Sequence, residues 1–328
     1  MSRRVLLSFA GGASLAALAC LSLSLIGRSQ PGTKPEQPVL PKVPRGTGTV
    51  FDHGATGDGT TDDWQAVQNA VNAASGAVAF PHGTYRITKT VTVDLAKVGF
   101  AAVRGDGTAR IVMAGEGPAF RFVGSHTGTA APATVKPEVW SERAPTVEGV
   151  EIVGDHENAD AIEASGTMKL TVTRVVIRRC RHGVHLTTRN RNVIVSDCHI
   201  YENRGIGVFL DAVNLHQINV TGCHISYCNQ GGVVCKAGEV RNLQITGCDI
   251  ESNHGKDDPP TANVLIDSTG GSHAEVASTG CTVQHNHHAR GAANIRIRGP
   301  SAGTIRGTDE LRDGHVTITG NILSDVLV

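Results

Sequence analysis

The chain has 328 residues with 30 basic and 30 acidic side chains, so no overall field steers it toward nucleic acid or an anionic membrane. Aromatic residues make up 4% of the chain while glycine reaches 39 residues, which excludes a core built on aromatic packing and suits stacked small aliphatic side chains.

Residues 1–30 carry Arg3 and Arg4 and then an uncharged apolar run to Ile26, the pattern of an export signal. Ser2-Arg3-Arg4-Val5-Leu6-Leu7 resembles the twin-arginine motif, which implies export in folded form to the periplasm, the cell envelope or the outside. Three outcomes stay open: cleavage after Ala17-Leu18-Ala19, lipidation at Cys20, or an uncleaved anchor of near-spanning length. Membrane contact is expected only through this segment. Residues 31–47 follow as a linker, whose five prolines prevent a helix or a central strand. Residues 48–328 form the remaining domain.

The stretch "GATGDGTTDDWQAVQNAVNAASG", 54–76, begins that domain. Asp62 and Gln65 have capping-box spacing, and Val67, Ala70, Val71 and Ala74 line one face, so a helix is predicted over about 62–75. As a calcium loop "GDGTTDD" has the wrong spacing. As a phosphate cradle it offers acids where a cation is needed.

Further on, four segments superpose on one another, with Cys198, Cys223, Cys248 and Cys281 in one register. The pattern extends to Val150, Val175 and Asn321, in steps of 25, 23, 25, 25, 33 and 40 residues. Apolar residues alternate inside each unit, as in Val193, Val195, Cys198 and Ile200, and a further strand follows each turn. Several short strands at constant period predict a parallel β-solenoid whose equivalent residues stack about 4.8 Å apart. The cysteines then form an interior ladder of free thiols, since that separation exceeds the reach of an unstrained bridge. Asn203, Asn253 and Asn286 recur five residues after the ladder position, with Asn229 one place later. They read as a second ladder at a turn. The amphipathic helix becomes a lid over the open edge of the first coil.

Residues 51–88, "FDHGATGDGTTDDWQAVQNAVNAASGAVAFPHGTYRIT", resemble the N-terminal signature of the pectate-lyase-like superfamily in its rhamnogalacturonase/epimerase-like branch. The resemblance implies an all-β fold, a right-handed single-stranded parallel β-helix with an N-terminal capping α-helix. It also implies a carbohydrate substrate, but the branch holds hydrolases, lyases, epimerases and tailspikes. The hydrolase pattern of this family needs several carboxylates. Here Asn158-Ala159-Asp160 stands at the first place and no acid stands at the next, so hydrolysis is disfavoured and Asp160 reads as a turn residue. The positions corresponding to calcium ligands hold Ser196, Thr221, Thr246 and Thr279, so no metal and no cofactor are expected there.

What the outer face offers instead is amides and a charged column. Asn192, Gln217 and Asn242, then Ile194, Asn219 and Gln244, point outward on successive coils. The five amides could grip sugar hydroxyls or satisfy one another. Beside them Arg191, His216 and Arg241 recur every 25 residues. Flanking guanidinium charge should keep His216 neutral and able to accept a proton, while the arginines hold a uronate carboxylate, with Lys236 and Asp211 assisting from adjoining loops. The competing explanation is that exposed turns simply collect charge. His199 and His224 stack on the second strand, and His285, His287 and His288 read as solvated turn residues. Phe209, Val234 and Leu265 form an apolar outward strip that could bind another copy of the chain. Two functions follow: an exported lyase or epimerase on acidic, uronate-containing polysaccharide, or a non-catalytic glycan-binding or adhesion module of the cell envelope.

Overall fold

The computed structural model describes residues 48–73, 76–255, 261–286, 291–299 and 314–324. Residues 1–47, read above as an export signal and a linker, and Ala74, His287 and His288 lie outside the described residues. Every named strand pairing is parallel, and each strand pairs with its equivalent one coil away. Val193, Ile218, Leu243 and Val276 fall in one file, as do Ile200, Ile225, Ile250 and Val283. The chain is therefore a parallel β-helix, with a core of side chains stacked along its axis.

Each coil has a first face ending just before the cysteine ladder, a short second face, and a third face that runs on through a link to the next first face. The long strands Val184–Ser196, Ile206–Thr221, Gly231–Thr246 and Ala262–Thr279 each carry the third face, the link and the first face together. Single residues with positive φ turn the corners. Asn192, Gln217, Asn242 and Glu275 make one such column, with φ of 54°, 67°, 56° and 61°. Asp197, Gly222, Gly247 and Gly280 make the next, immediately before the cysteines. One residue in the left-handed region redirects a strand while the inter-coil hydrogen bonds continue on both sides.

Cys198, Cys223, Cys248 and Cys281 are buried and unbridged, as are Cys180, Cys228 and Cys235. Burial pushes the Cys228 thiol up to about 11 and the Cys180 thiol up to about 12, so both stay protonated and inert. The second ladder differs from expectation. Its places in alternate coils are held by Cys180 and Cys228, not by Asn229, and the side chain of the following asparagine serves each cysteine backbone. Asn203 Oδ1 accepts the Cys180 N–H at 2.9 Å, and Asn253 Oδ1 accepts the Cys228 N–H at 3.0 Å. Asn253 also donates to the Ile225 carbonyl at 2.9 Å. Backbone groups freed by the corner are satisfied by a buried amide instead of water.

The lid is the helix Trp64–Ala73, which buries Val67, Ala70 and Val71. The capping box does not form. Asp62 accepts from the Trp64 N–H and also from Thr88, while Gln65 bonds to Asn69. Asp63 closes the preceding loop by accepting the N–H groups of Thr56 and Gly57. The edge beneath the lid is covered by side chains: Gln68 pairs with both backbone groups of Thr92, at 2.8 and 2.9 Å, and the Trp64 indole donates to the Thr90 carbonyl. An amide side chain thus substitutes for the missing strand.

Phe209, Val234 and Leu265 stack in register on the third face, but they are not an open strip. Val234 is 2% exposed, and the His185 ring stacks on Phe209 with centroids 5.1 Å apart. Phe209 and Leu265 are half-buried, so the column offers less apolar surface than the spacing alone suggests. Asp160 is likewise no turn residue. It lies on the strand Ala159–Ser165, is fully buried, and holds both the Arg181 guanidinium and the His182 N–H.

Candidate functional site: an amide groove on the first face

The αL corner at Asn192, Gln217 and Asn242 and the strand positions two residues later project side chains from the same side of three consecutive coils. Asn192, Ile194, Gln217, Asn219, Asn242 and Gln244 together line an open groove of about 420 Å³. That volume lies in the range of ligand sites, but the lining is five primary amides with one apolar side chain, Ile194, 38% exposed. Such a lining suits a ligand rich in hydroxyls.

The five amides make no side-chain hydrogen bond among the described residues, and Asn192 Oδ1 is occluded without a partner. They therefore do not satisfy one another. In register beyond Asn192 lies Lys169, also at positive φ, whose ammonium sits 4.6 Å from the centroid of the Trp140 ring. Trp140 is 43% exposed. It belongs to the segment 125–146, which is packed down by Val135, Val139 and Met168 and by an Arg189 bond to the Gly128 carbonyl. Beyond Asn242 the column continues with Glu275.

Arg191, His216 and Arg241 do stack at one position of the link. Their side chains do not face outward together. Arg191 is 2% exposed and donates to the carbonyls of Asn190 and Asn214 and to Asn214 Oδ1, at 2.7, 2.8 and 2.7 Å. Arg241 repeats this two repeats later, on Val240, Ser272 and the Ser272 hydroxyl. Both forks grip backbone, so neither presents a bidentate face to a carboxylate. Burial pushes Arg191 down to about 10, still a cation at neutral pH.

His216 is held below its ordinary value, first by burial and then by the Arg191 charge. Its Nε2 is occluded and lies 3.8 Å from Glu239 Oε1, which leaves Nδ1 as the ring nitrogen a ligand can reach. Glu239 is the residue that spacing alone did not single out. It accepts from Asn214 Nδ2 at 2.7 Å, stands 3.9 Å from Arg241, and so joins the whole column into one network.

Asp211 and Lys236 lie on strands, not loops, and stack on each other on the third face. The corners at Ala212 and Ala237 and the link separate them from the groove. Asp211 bonds instead to His185 Nε2, at 3.1 Å. The hydroxyl positions Ser196, Thr221 and Thr246 continue the first face below the groove, with Ser196 donating to Thr173.

Two family models match the chain: "Rhamnogalacturonase A/epimerase, pectate lyase-like" over residues 49–132 and "Right handed beta helix region" over residues 139–287. No curated protein matches by sequence. Among solved structures, the chain is similar to the A-module of the Azotobacter vinelandii mannuronan C-5 epimerase AlgE4, at 18% identity and TM-score 0.50, covering 76% of this chain and 73% of that one. It is similar also to the tailspike protein of Acinetobacter baumannii phage AM24, at 17% identity and TM-score 0.53, covering 84% of this chain and 54% of the tailspike. At these identities the likeness is one of fold. Fold, signature and coil pattern agree: the chain belongs to the pectate-lyase-like superfamily of right-handed parallel β-helices.

Proposed function

We propose that this is an exported polysaccharide-acting protein that holds an acidic glycan along the first face. The observation that carries the reading is the groove of five amides with no hydrogen bonds of their own. An amide offers both donor and acceptor, as a sugar hydroxyl does, so a row of them can exchange water for a glycan at little cost. The guanidinium groups beneath supply positive charge without presenting a fork. They favour an anionic chain over a neutral one while the amides fix its register. Lys169 adds a cation and Trp140 an aromatic face at one end of the same track. A mannuronan epimerase module shares the fold, which is in keeping with a glycan as the ligand class.

The finer reading, an eliminating lyase or an epimerase, is favoured by one specific feature. His216 stays neutral at working pH, beside the groove, with Nδ1 outward and Glu239 behind Nε2. Such a ring can take the proton from the carbon next to a uronate carboxylate, after which either the 4-linked sugar leaves or a proton returns to the other side. The fixed charges of Arg191 and Arg241 would stabilise the developing carbanion at a distance rather than by contact.

A panel of acidic and neutral polysaccharides tests both readings. Affinity for the acidic members that falls about two- to tenfold in Asn219→Ala supports the groove, and equal affinity in wild type and variant removes it. Unsaturated uronide or C-5 inversion that vanishes in His216→Ala supports the enzyme, whereas binding without turnover supports the module.

A further inference from the structure

Outward positions of the second face converge past the corners at Gly222 and Gly247, among residues that do not line the groove. His224 opens the strand His224–Ser226, Asp249 stacks directly on it, and Glu251 projects from the same side two residues on. His224 Nε2 stands 3.6 Å from Asp249 Oδ2 and 3.6 Å from Glu251 Oε1, and all three groups bring a ligand atom within 4.8 Å of the others. On the next coil His285, at the positive-φ corner, brings Nε2 to 4.0 Å from Glu251 Oε2.

These separations are too long for hydrogen bonds, which close at about 2.7–3.2 Å. The two His224 separations of 3.6 Å come close to the edge of a coordination polyhedron, since metal bonds of about 2.0–2.1 Å at tetrahedral angles set ligands about 3.3–3.5 Å apart, and small side-chain movements would close the rest. His224 Nε2, the atom central to these contacts, is shielded from water and has no hydrogen-bond partner, and the same holds for the other oxygen of the Asp249 carboxylate, Oδ1. An ordinary surface ion pair would leave its lone pairs to solvent. Glu251 is meanwhile steadied from outside by Gln284 Nε2, which donates to Oε2 at 3.1 Å. A ligand carboxylate held in this way keeps its other oxygen turned inward.

We propose that His224, Asp249 and Glu251 form a divalent transition-metal site, best suited to Zn²⁺, with His285 poised beside it as a fourth donor. One imidazole with two carboxylates matches the ligand preference of Zn²⁺ and offers too few oxygens for Ca²⁺, which takes six to eight. The ion would tie neighbouring coils together on a face where the side chains otherwise place two carboxylates side by side. The site does not depend on the groove or on any glycan chemistry.

The test is calorimetric titration of the metal-free full chain with Zn²⁺, and separately with Ca²⁺, alongside thermal melts. Expected are binding of one Zn²⁺ per chain, a rise in Tm, and no response to Ca²⁺. Glu251→Gln and His224→Gln should each weaken Zn²⁺ binding by at least about tenfold, while His156→Gln, at a distant coil, changes nothing. Co²⁺ should give visible bands without the intense sulfur-to-metal charge transfer that cysteine ligands would produce. Absence of Zn²⁺ binding overturns the proposal. So does undiminished binding in Glu251→Gln, an isosteric change that keeps the fold testable if His224→Gln does not fold.

Discussion

The Arg191 guanidinium clasps Asn214 on the next coil, donating to its carbonyl at 2.8 Å and to its side-chain oxygen at 2.7 Å. A residue that spacing marks as a substrate clamp is thereby a fastener between coils. Each buried acceptor stranded by its removal costs about 1–3 kcal/mol. Arg191→Ala should therefore lose about 2–4 kcal/mol in urea titration, and Arg191→Lys should recover only part of it, because an ammonium cannot supply a planar fork. An unchanged midpoint in Arg191→Ala would return the side chain to the substrate.

Gln217 allows a cleaner separation of binding from folding. Its φ of 67° is one that glycine adopts without strain, so Gln217→Gly deletes an amide from the groove while relieving the backbone. Glycan affinity should fall about two- to tenfold, the worth of one hydrogen bond, with Tm unchanged or slightly raised. Asn219→Ala, on regular strand, should give a similar loss.

Stability should also depend on pH through His182. Its Nδ1 accepts the Ile206 N–H at 3.1 Å, and burial pushes its pKa down to about 4. The unfolded chain takes up this proton near about 6.5. Between those values the unfolded state holds more protons, so the contribution is complete above about 6.5 and lost as pH falls toward about 4. The full loss is on the order of 3 kcal/mol. Denaturant midpoints for His182→Asn, which keeps an acceptor but cannot titrate there, should fall less steeply across that window.

The two interior ladders should respond differently. Asn253→Ala removes the partner of the Cys228 N–H and the Ile225 carbonyl inside a sealed core, and should cost about 2–4 kcal/mol. Cys223→Val places in the thiol file the residue already found at Val150 and Val175, and should cost under about 1.5 kcal/mol. A thiol reagent should find the seven described cysteines unreactive until the chain unfolds.

The coil, the thiol file and the amide row were legible because strand periodicity and a near-constant repeat jointly fix which side chains become neighbours. Two kinds of detail were not. Long side chains choose their direction after the backbone is set, so the spacing of Arg191 and Arg241 could not reveal that both turn back onto carbonyls. Nor could it reveal that Glu239 would sit among them. The positive φ at Asn192, Gln217 and Asn242 is similarly hidden, since the residues fit the strand pattern until a corner is seen. Cys228 concealed its place in the asparagine ladder because Asn229 follows it directly and looks like the missing member. The run at His285 drew attention to adjacent histidines, while its relation to Glu251 and His224 crosses two coils and depends on how each corner falls.

The most direct measurement is side-chain amide NMR on the ¹⁵N-labelled protein during titration with an oligouronide. The account predicts that the NH₂ resonances of Asn192, Gln217, Asn219, Asn242 and Gln244 move together with one affinity, while those of Asn203 and Asn253 in the core stay fixed. Binding that shifts amides elsewhere and leaves those five unmoved would contradict it.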